Sequence, residues 1–69
     1  MSEHVYKLIE LTGSSKTGIE DAIQNAITKA SKSLRNMRWF QVVETRGYID
    51  AEKIAYWQVT GKIGFTIEP

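Results

Sequence analysis

Trp39 and Gln58 are the residues whose types point most directly to a ligand. An indole offers a flat face for stacking, and a glutamine amide offers one acceptor and two donors side by side. That pair of edges matches the imide-like side of a heteroaromatic ring. Each residue also has a plainer use, since aromatics are enriched at protein interfaces and glutamines line solvated strands. Other chemistry is thinly supplied. There is no cysteine and one histidine, His4, so no thiol nucleophile, thiolate zinc site, histidine metal cluster or Ser-His-Asp triad can be built within one chain. The acids Glu44, Asp50, Glu52 and Glu68 are scattered, and nothing pairs two carboxylates for general acid–base work.

Two further patterns have mundane readings. Gly13-Ser14-Ser15-Lys16-Thr17-Gly18 lies between a strand and a helix, where a phosphate loop would lie. Ile19-Glu20 stands where the Lys-Ser/Thr pair should follow, so the segment reads as a turn. Lys29, Lys32, Arg35 and Arg38 recur every third residue and complement the negative end of a helix dipole. A surface for phosphate or for an acidic partner is the alternative.

The chain that must position these groups has 69 residues and carries a net charge of +1. That balance provides no electrostatic footprint for nucleic acid and no polybasic membrane patch. No apolar run approaches the roughly 20 residues of a membrane span. With no secretory-type leader pattern, a soluble cytoplasmic protein is the default expectation. The whole chain, 1–69, reads as one domain. Folding at this size buries only about 60 % of the chain's surface, and disulfides are ruled out. Oligomerisation is the stabiliser that remains.

Val5–Thr12 is rich in β-formers and reads as a first strand. Thr17 and Glu20 have capping-box spacing. The series Ile19, Ala22, Ile23, Ala26, Ile27, Ala30, Leu34, Met37 then marks one face of a helix over about 18–36. Trp39–Ile49 reads as a second strand and Ile54–Ile67 as a third, joined by the polar connection Asp50-Ala51-Glu52-Lys53. The fold class is α+β, in the order β-α-β-β. A hairpin and a right-handed crossover place the third strand between the others, giving an antiparallel sheet of order 1-3-2 against one helix.

One helix covers one face. Pairing Ile49 with Ile54 and continuing without bulges sets Thr45 opposite Gln58, Val43 opposite Thr60 and Trp39 opposite Gly64. Phe40 and Val42 then join Val59, Ile63 and Phe65 under the helix. Trp39, Gln41, Val43 and Thr45 share the uncovered face with Tyr56, Gln58 and Thr60. Arg46 falls on the helix face beside Trp57, unless a bulge at Gly47 turns it outward. About six residue steps separate Trp39 from Gln58, or roughly 20 Å along the ladder. A single ring that meets both must sit between subunits.

The strings Asn36-Met37-Arg38-Trp39-Phe40-Gln41-Val42, Thr45-Arg46-Gly47, Tyr56-Trp57-Gln58-Val59-Thr60 and Lys62-Ile63-Gly64-Phe65 resemble a dodecin. So does Val5-Tyr6-Lys7 leading to Gly13-Ser14-Ser15, and the resemblance spans essentially the whole chain. It implies a flavin-binding homododecamer rather than an enzyme, storing or sequestering flavin and quenching its photochemistry. Isoalloxazine rings in such proteins lie between tryptophans of different subunits. The family tryptophan matches Trp39, the glutamine that bonds the pyrimidine edge matches Gln58, and Arg46 matches the family Arg-Gly as a candidate anion contact. FMN, riboflavin and a breakdown product such as lumichrome all remain open, as does a site for coenzyme A, which some relatives bind. Arg38 and Gln41 stand where acids are frequent. Thr66 stands where some relatives carry an arginine near the flavin phosphate, so an FMN preference below about tenfold is expected. The alternative from another class is a structural oligomer or adaptor using the same aromatic face.

Overall fold

A computed structural model describes residues 3–67; Glu68 and Pro69 lie outside the described residues. The order is β1 (Tyr6–Ser15), α1 (Ile19–Ala30), β2 (Met37–Asp50) and β3 (Lys53–Thr66). The strands form one antiparallel sheet in the order β1-β3-β2, as the sequence implies. Strands of 14 residues span roughly 46 Å at 3.3 Å per residue, which accounts for most of the 54 Å long axis. The helix has 12 residues, or about 18 Å at 1.5 Å each. It therefore covers less than half of the sheet's length.

The small core follows from this mismatch. Ala22 and Ala26 on α1 pack on β1 at Gly13, where a Cβ would collide with the Ala22 carbonyl and the Ala26 methyl. Val59 and Ile63 on β3 are the largest fully buried side chains, and both point to the helix side. Beyond the helix the apolar surface is open: Ile49 is 74 % exposed, and Val42, Val43, Tyr48 and Ile54 are exposed with it. Exposed apolar surface of this extent marks a contact surface.

The helix ends earlier than its periodicity suggests, at Ala30 rather than Asn36. Ser31 turns its hydroxyl back to the Thr28 carbonyl, and the Ser33 and Leu34 amides both bond to the Ala30 carbonyl. Serine competes with the backbone in this way and favours helix ends. Arg35 donates to the Ser31 carbonyl at the helix end and to the Leu34 carbonyl beyond it. Met37 and Arg38 belong to β2, not to the helix.

The expected capping box is absent. Gly18 is the N-cap, and no side chain caps it. Ser15, the last residue of β1, organises the loop instead. Its Oγ accepts from the Thr17 amide at 2.9 Å and the Gly18 amide at 3.3 Å, and donates to Asp21 Oδ2 at 2.7 Å. Because β1 runs three residues past Thr12, this hydroxyl reaches the loop amides before Thr17 can act as a cap.

The β2–β3 register keeps Ile49 opposite Ile54 and Trp39 opposite Gly64, but three irregularities interrupt the alternation assumed between them. They lie between Met37 and Trp39, between Val42 and Glu44, and between Tyr48 and Ile49. Each inserts an unpaired residue and shifts which side chains share a face.

Candidate functional site

The sheet face away from α1 carries the candidate residues. Moving along it from the hairpin, Tyr48 pairs with Tyr56, Arg46 with Gln58, Glu44 with Thr60, Gln41 with Lys62 and Trp39 with Gly64. On the other side β1 contributes Ser14 beside Gln58, Thr12 beside Thr60, Leu8 beside Gly64 and Tyr6 beside Thr66. Thr45 pairs with Val59 on the helix side, not with Gln58, because Ala55 of β3 bulges out opposite the step between Tyr48 and Ile49. Val43 of β2 bulges out further along and restores the count toward Trp39. Between these two bulges Arg46 comes opposite Gln58 on the open face. It does not lie beside Trp57 under the helix; Gly47 itself pairs regularly with Trp57, and the irregularities that turn Arg46 outward flank it at Ala55 and Val43.

Trp39 lies over Gly64 so closely that a Cβ there would overlap the indole's six-membered ring. Tyr6 meets the indole edge-on, with centroids 5.1 Å apart and planes at 64°. The ring is thus held against the sheet on one side and by an aromatic edge on another, with 41 % of the residue still exposed. A platform for stacking needs this combination of a fixed ring and an open face.

Gln58 is fixed at both ends. Arg46 Nε donates to its Oε1 at 3.0 Å, and its Nε2 donates to Ser14 Oγ at 3.2 Å. Arg46 has no acceptor, so the atom facing it must be the amide oxygen. One lone pair on Oε1 and one hydrogen on Nε2 are left for a further partner, side by side. Glu44 Oε2 in turn accepts from an Arg46 terminal nitrogen at 3.0 Å, which partly neutralises that arginine.

Trp39 and Gln58 are not brought together in one chain. Six positions of β3, from Gln58 to Gly64, separate them, or roughly 20 Å. Arg38, counted from sequence with the basic stripe at the helix end, lies instead beside Trp39 on β2. Arg38 sits in the first bulge, and its Nε donates to Thr66 Oγ1 at 2.9 Å. The signal was a charged residue beside the candidate tryptophan; only the bulge shows which way it reaches.

The dodecin family model matches residues 5–68. The chain belongs to the dodecin family. The dodecin of Thermus thermophilus is 45 % identical over 64 residues, 93 % of each chain. Among solved structures, the dodecin from Streptomyces davaonensis superposes with a TM-score of 0.93 at 44 % identity, covering 99 % of this chain and 100 % of the other. That from Streptomyces coelicolor gives 0.93 at 43 % identity, covering 100 % of this chain and 99 % of the other. A calcium dodecin from Mycobacterium tuberculosis is more distant, with a TM-score of 0.81 at 28 % identity over 94 % of this chain and 93 % of the other. The β-α-β-β dodecin fold and its 1-3-2 sheet are therefore those inferred from sequence. Among the described residues no helix is long and apolar enough to cross a membrane, and no cluster of three His, Asp or Glu could hold a metal ion.

Proposed function

We propose that the protein binds flavin without catalysing a reaction, as a homododecamer that stores or sequesters it in the cytoplasm and quenches its photochemistry. The observation that carries this reading is the open sheet face with its two prepared groups. Trp39 is an exposed indole braced by Gly64 and Tyr6. Gln58 is an amide held by Arg46 and Ser14, with one donor and one acceptor remaining. An isoalloxazine presents a flat ring to the first and an alternating carbonyl and N–H edge to the second. With roughly 20 Å between them along β3, one ring would meet both only if each contact came from a different subunit. Bare apolar surface around Val43 and Ile49 favours close packing of subunits.

FMN, riboflavin and lumichrome share the ring that these contacts address, so all three are candidates, and Arg46 is a candidate anion contact. A coenzyme A site is a separate proposal that rests on the family alone. The rival reading, a structural oligomer or adaptor, uses the same exposed aromatics for protein contacts.

One experiment separates them. Trp39→Ala should weaken flavin binding at least tenfold and restore the fluorescence of whatever flavin still binds, while sedimentation shows the assembly intact. Loss of assembly at unchanged flavin affinity would favour the structural role.

A further inference from the structure

We infer that Arg38 is the residue that selects ligands carrying a phosphate on the tail of the stacked ring. The inference rests on the flavin reading above and concerns the same site.

Two arginines border the open face, and their surroundings differ. Arg46 already has a carboxylate, Glu44, at 3.0 Å, and spends its Nε on Gln58. Its charge is offset and its direction is set by the amide it holds. Arg38 is exposed, and among the described residues no carboxylate pairs with it. Its Nε bonds to a neutral hydroxyl, Thr66 Oγ1, at 2.9 Å. That bond anchors the guanidinium through one nitrogen and leaves both terminal nitrogens to meet an anion. A guanidinium held this way offers a two-pronged donor, the geometry that phosphate accepts best.

Its position suits a tail rather than a ring. The irregularity between Met37 and Trp39 removes Arg38 from the pleat alternation, and its side chain reaches along the sheet to Thr66. Thr66 pairs with Tyr6, the residue whose ring abuts the Trp39 indole. The free guanidinium nitrogens therefore lie at the rim of the aromatic platform. Thr66 itself is 6 % exposed and carries no charge; it acts as the post to which Arg38 is tied.

The test titrates riboflavin and FMN into the wild-type assembly, Arg38→Gln, Arg38→Lys and Thr66→Val, following quenching of flavin fluorescence. Circular dichroism and sedimentation check the fold and assembly of each variant. Wild type should prefer FMN about three- to tenfold at low salt, and the preference should shrink at high salt because the contact is exposed. Arg38→Gln should bring the two affinities within twofold of each other, with riboflavin affinity unchanged. Arg38→Lys should keep part of the preference, and Thr66→Val should lower it by loosening the guanidinium. Binding of both ligands with an FMN preference absent from wild type, or undiminished in Arg38→Gln, overturns this assignment alone. Failure of wild type to bind either flavin overturns the flavin reading and this inference together.

Discussion

Arg46 donates from Nε to the Gln58 amide oxygen across the β2–β3 ladder at 3.0 Å, and this one bond decides which end of the amide faces which strand. The free donor and acceptor of Gln58 are presented in a fixed order only while Arg46 holds it. Ser14 completes the arrangement from β1, so all three strands take part.

Arg46→Ala should therefore weaken ring binding through Gln58 rather than through charge. The expected loss is about fivefold, near the 1 kcal/mol typical of one net hydrogen bond. Riboflavin and FMN should be affected alike. The double variant Arg46→Ala/Gln58→Ala should be little worse than Gln58→Ala alone, because both changes remove the same oriented amide. Additive losses in fluorescence titrations would show that Arg46 meets the ligand directly.

Much of this site was legible in the sequence, for physical reasons that also explain the rest. Alternation along β3 is regular from Trp57 to Phe65, so the buried Val59 and Ile63 and the opposing Gln58 and Gly64 follow from a period of two. The hairpin pairing of Ile49 with Ile54 and the pairing of Trp39 with Gly64 follow from the same count because the bulged residues on β2 and β3 offset one another. The stretch between those two pairs does not follow. Bulges at Val43 on β2 and Ala55 on β3 have no glycine or proline to announce them, yet between them they set Glu44 and Arg46 on the open face. Strict alternation thus sets Arg46 under the helix, and only a bulge, the exception allowed for it, brings it outward. The helix end was hidden for a different reason: Leu34 and Met37 continue the apolar period after the backbone has left the helix at Ala30.

Gly64→Ala should imitate loss of the stacking platform without touching Trp39. A Cβ at this position overlaps the indole, which must leave the sheet and its edge contact with Tyr6. Flavin affinity should fall at least tenfold. Gly47→Ala is the matched control, because the atoms nearest its Cβ would be those of the Ile54 side chain, at 3.3 Å, so the Cβ would not overlap a ring. A titration in which Gly64→Ala binds flavin as wild type does would rule out the braced-indole arrangement.

Asp21 makes stability depend on pH in the acid range. The hydrogen bond from Ser15 holds its carboxyl below the ordinary carboxylate value; desolvation opposes this, and bonds from Thr17 and Asn25 add to the lowering. A lowered folded-state value means that the stabilisation is complete above the unfolded-state value, near pH 4, and is lost as pH falls through the folded-state value. Asp21→Asn should be less stable than wild type at pH 7. The gap should close on acidification below about pH 4, where wild-type Asp21 also becomes neutral. Thermal unfolding at matched protein concentration measures it, and a gap that stays constant from pH 7 to pH 2 would refute the charge-based account.

The β2–β3 hairpin offers a route to higher stability. Asp50 pairs with Lys53, so the connection is a two-residue loop, and both of its residues have positive φ: 51° at Ala51 and 64° at Glu52. Residues with a Cβ lose about 1–2 kcal/mol each in the left-handed region, relative to one that tolerates it. The backbone twist of a two-residue hairpin favours this geometry, and Asn-Gly is the pair that adopts it with least strain. Ala51→Asn combined with Glu52→Gly should therefore stabilise each chain by about 1 kcal/mol, since part of the relief is offset by glycine's greater freedom in the unfolded chain. The expected signature is a rise of several degrees in Tm, with flavin affinity unchanged because the loop lies at the far end of β3 from Gly64, with five residues between it and Gln58. A fall in Tm would mean that the Ala51 and Glu52 side chains make contacts in the assembly worth more than the strain their backbone carries.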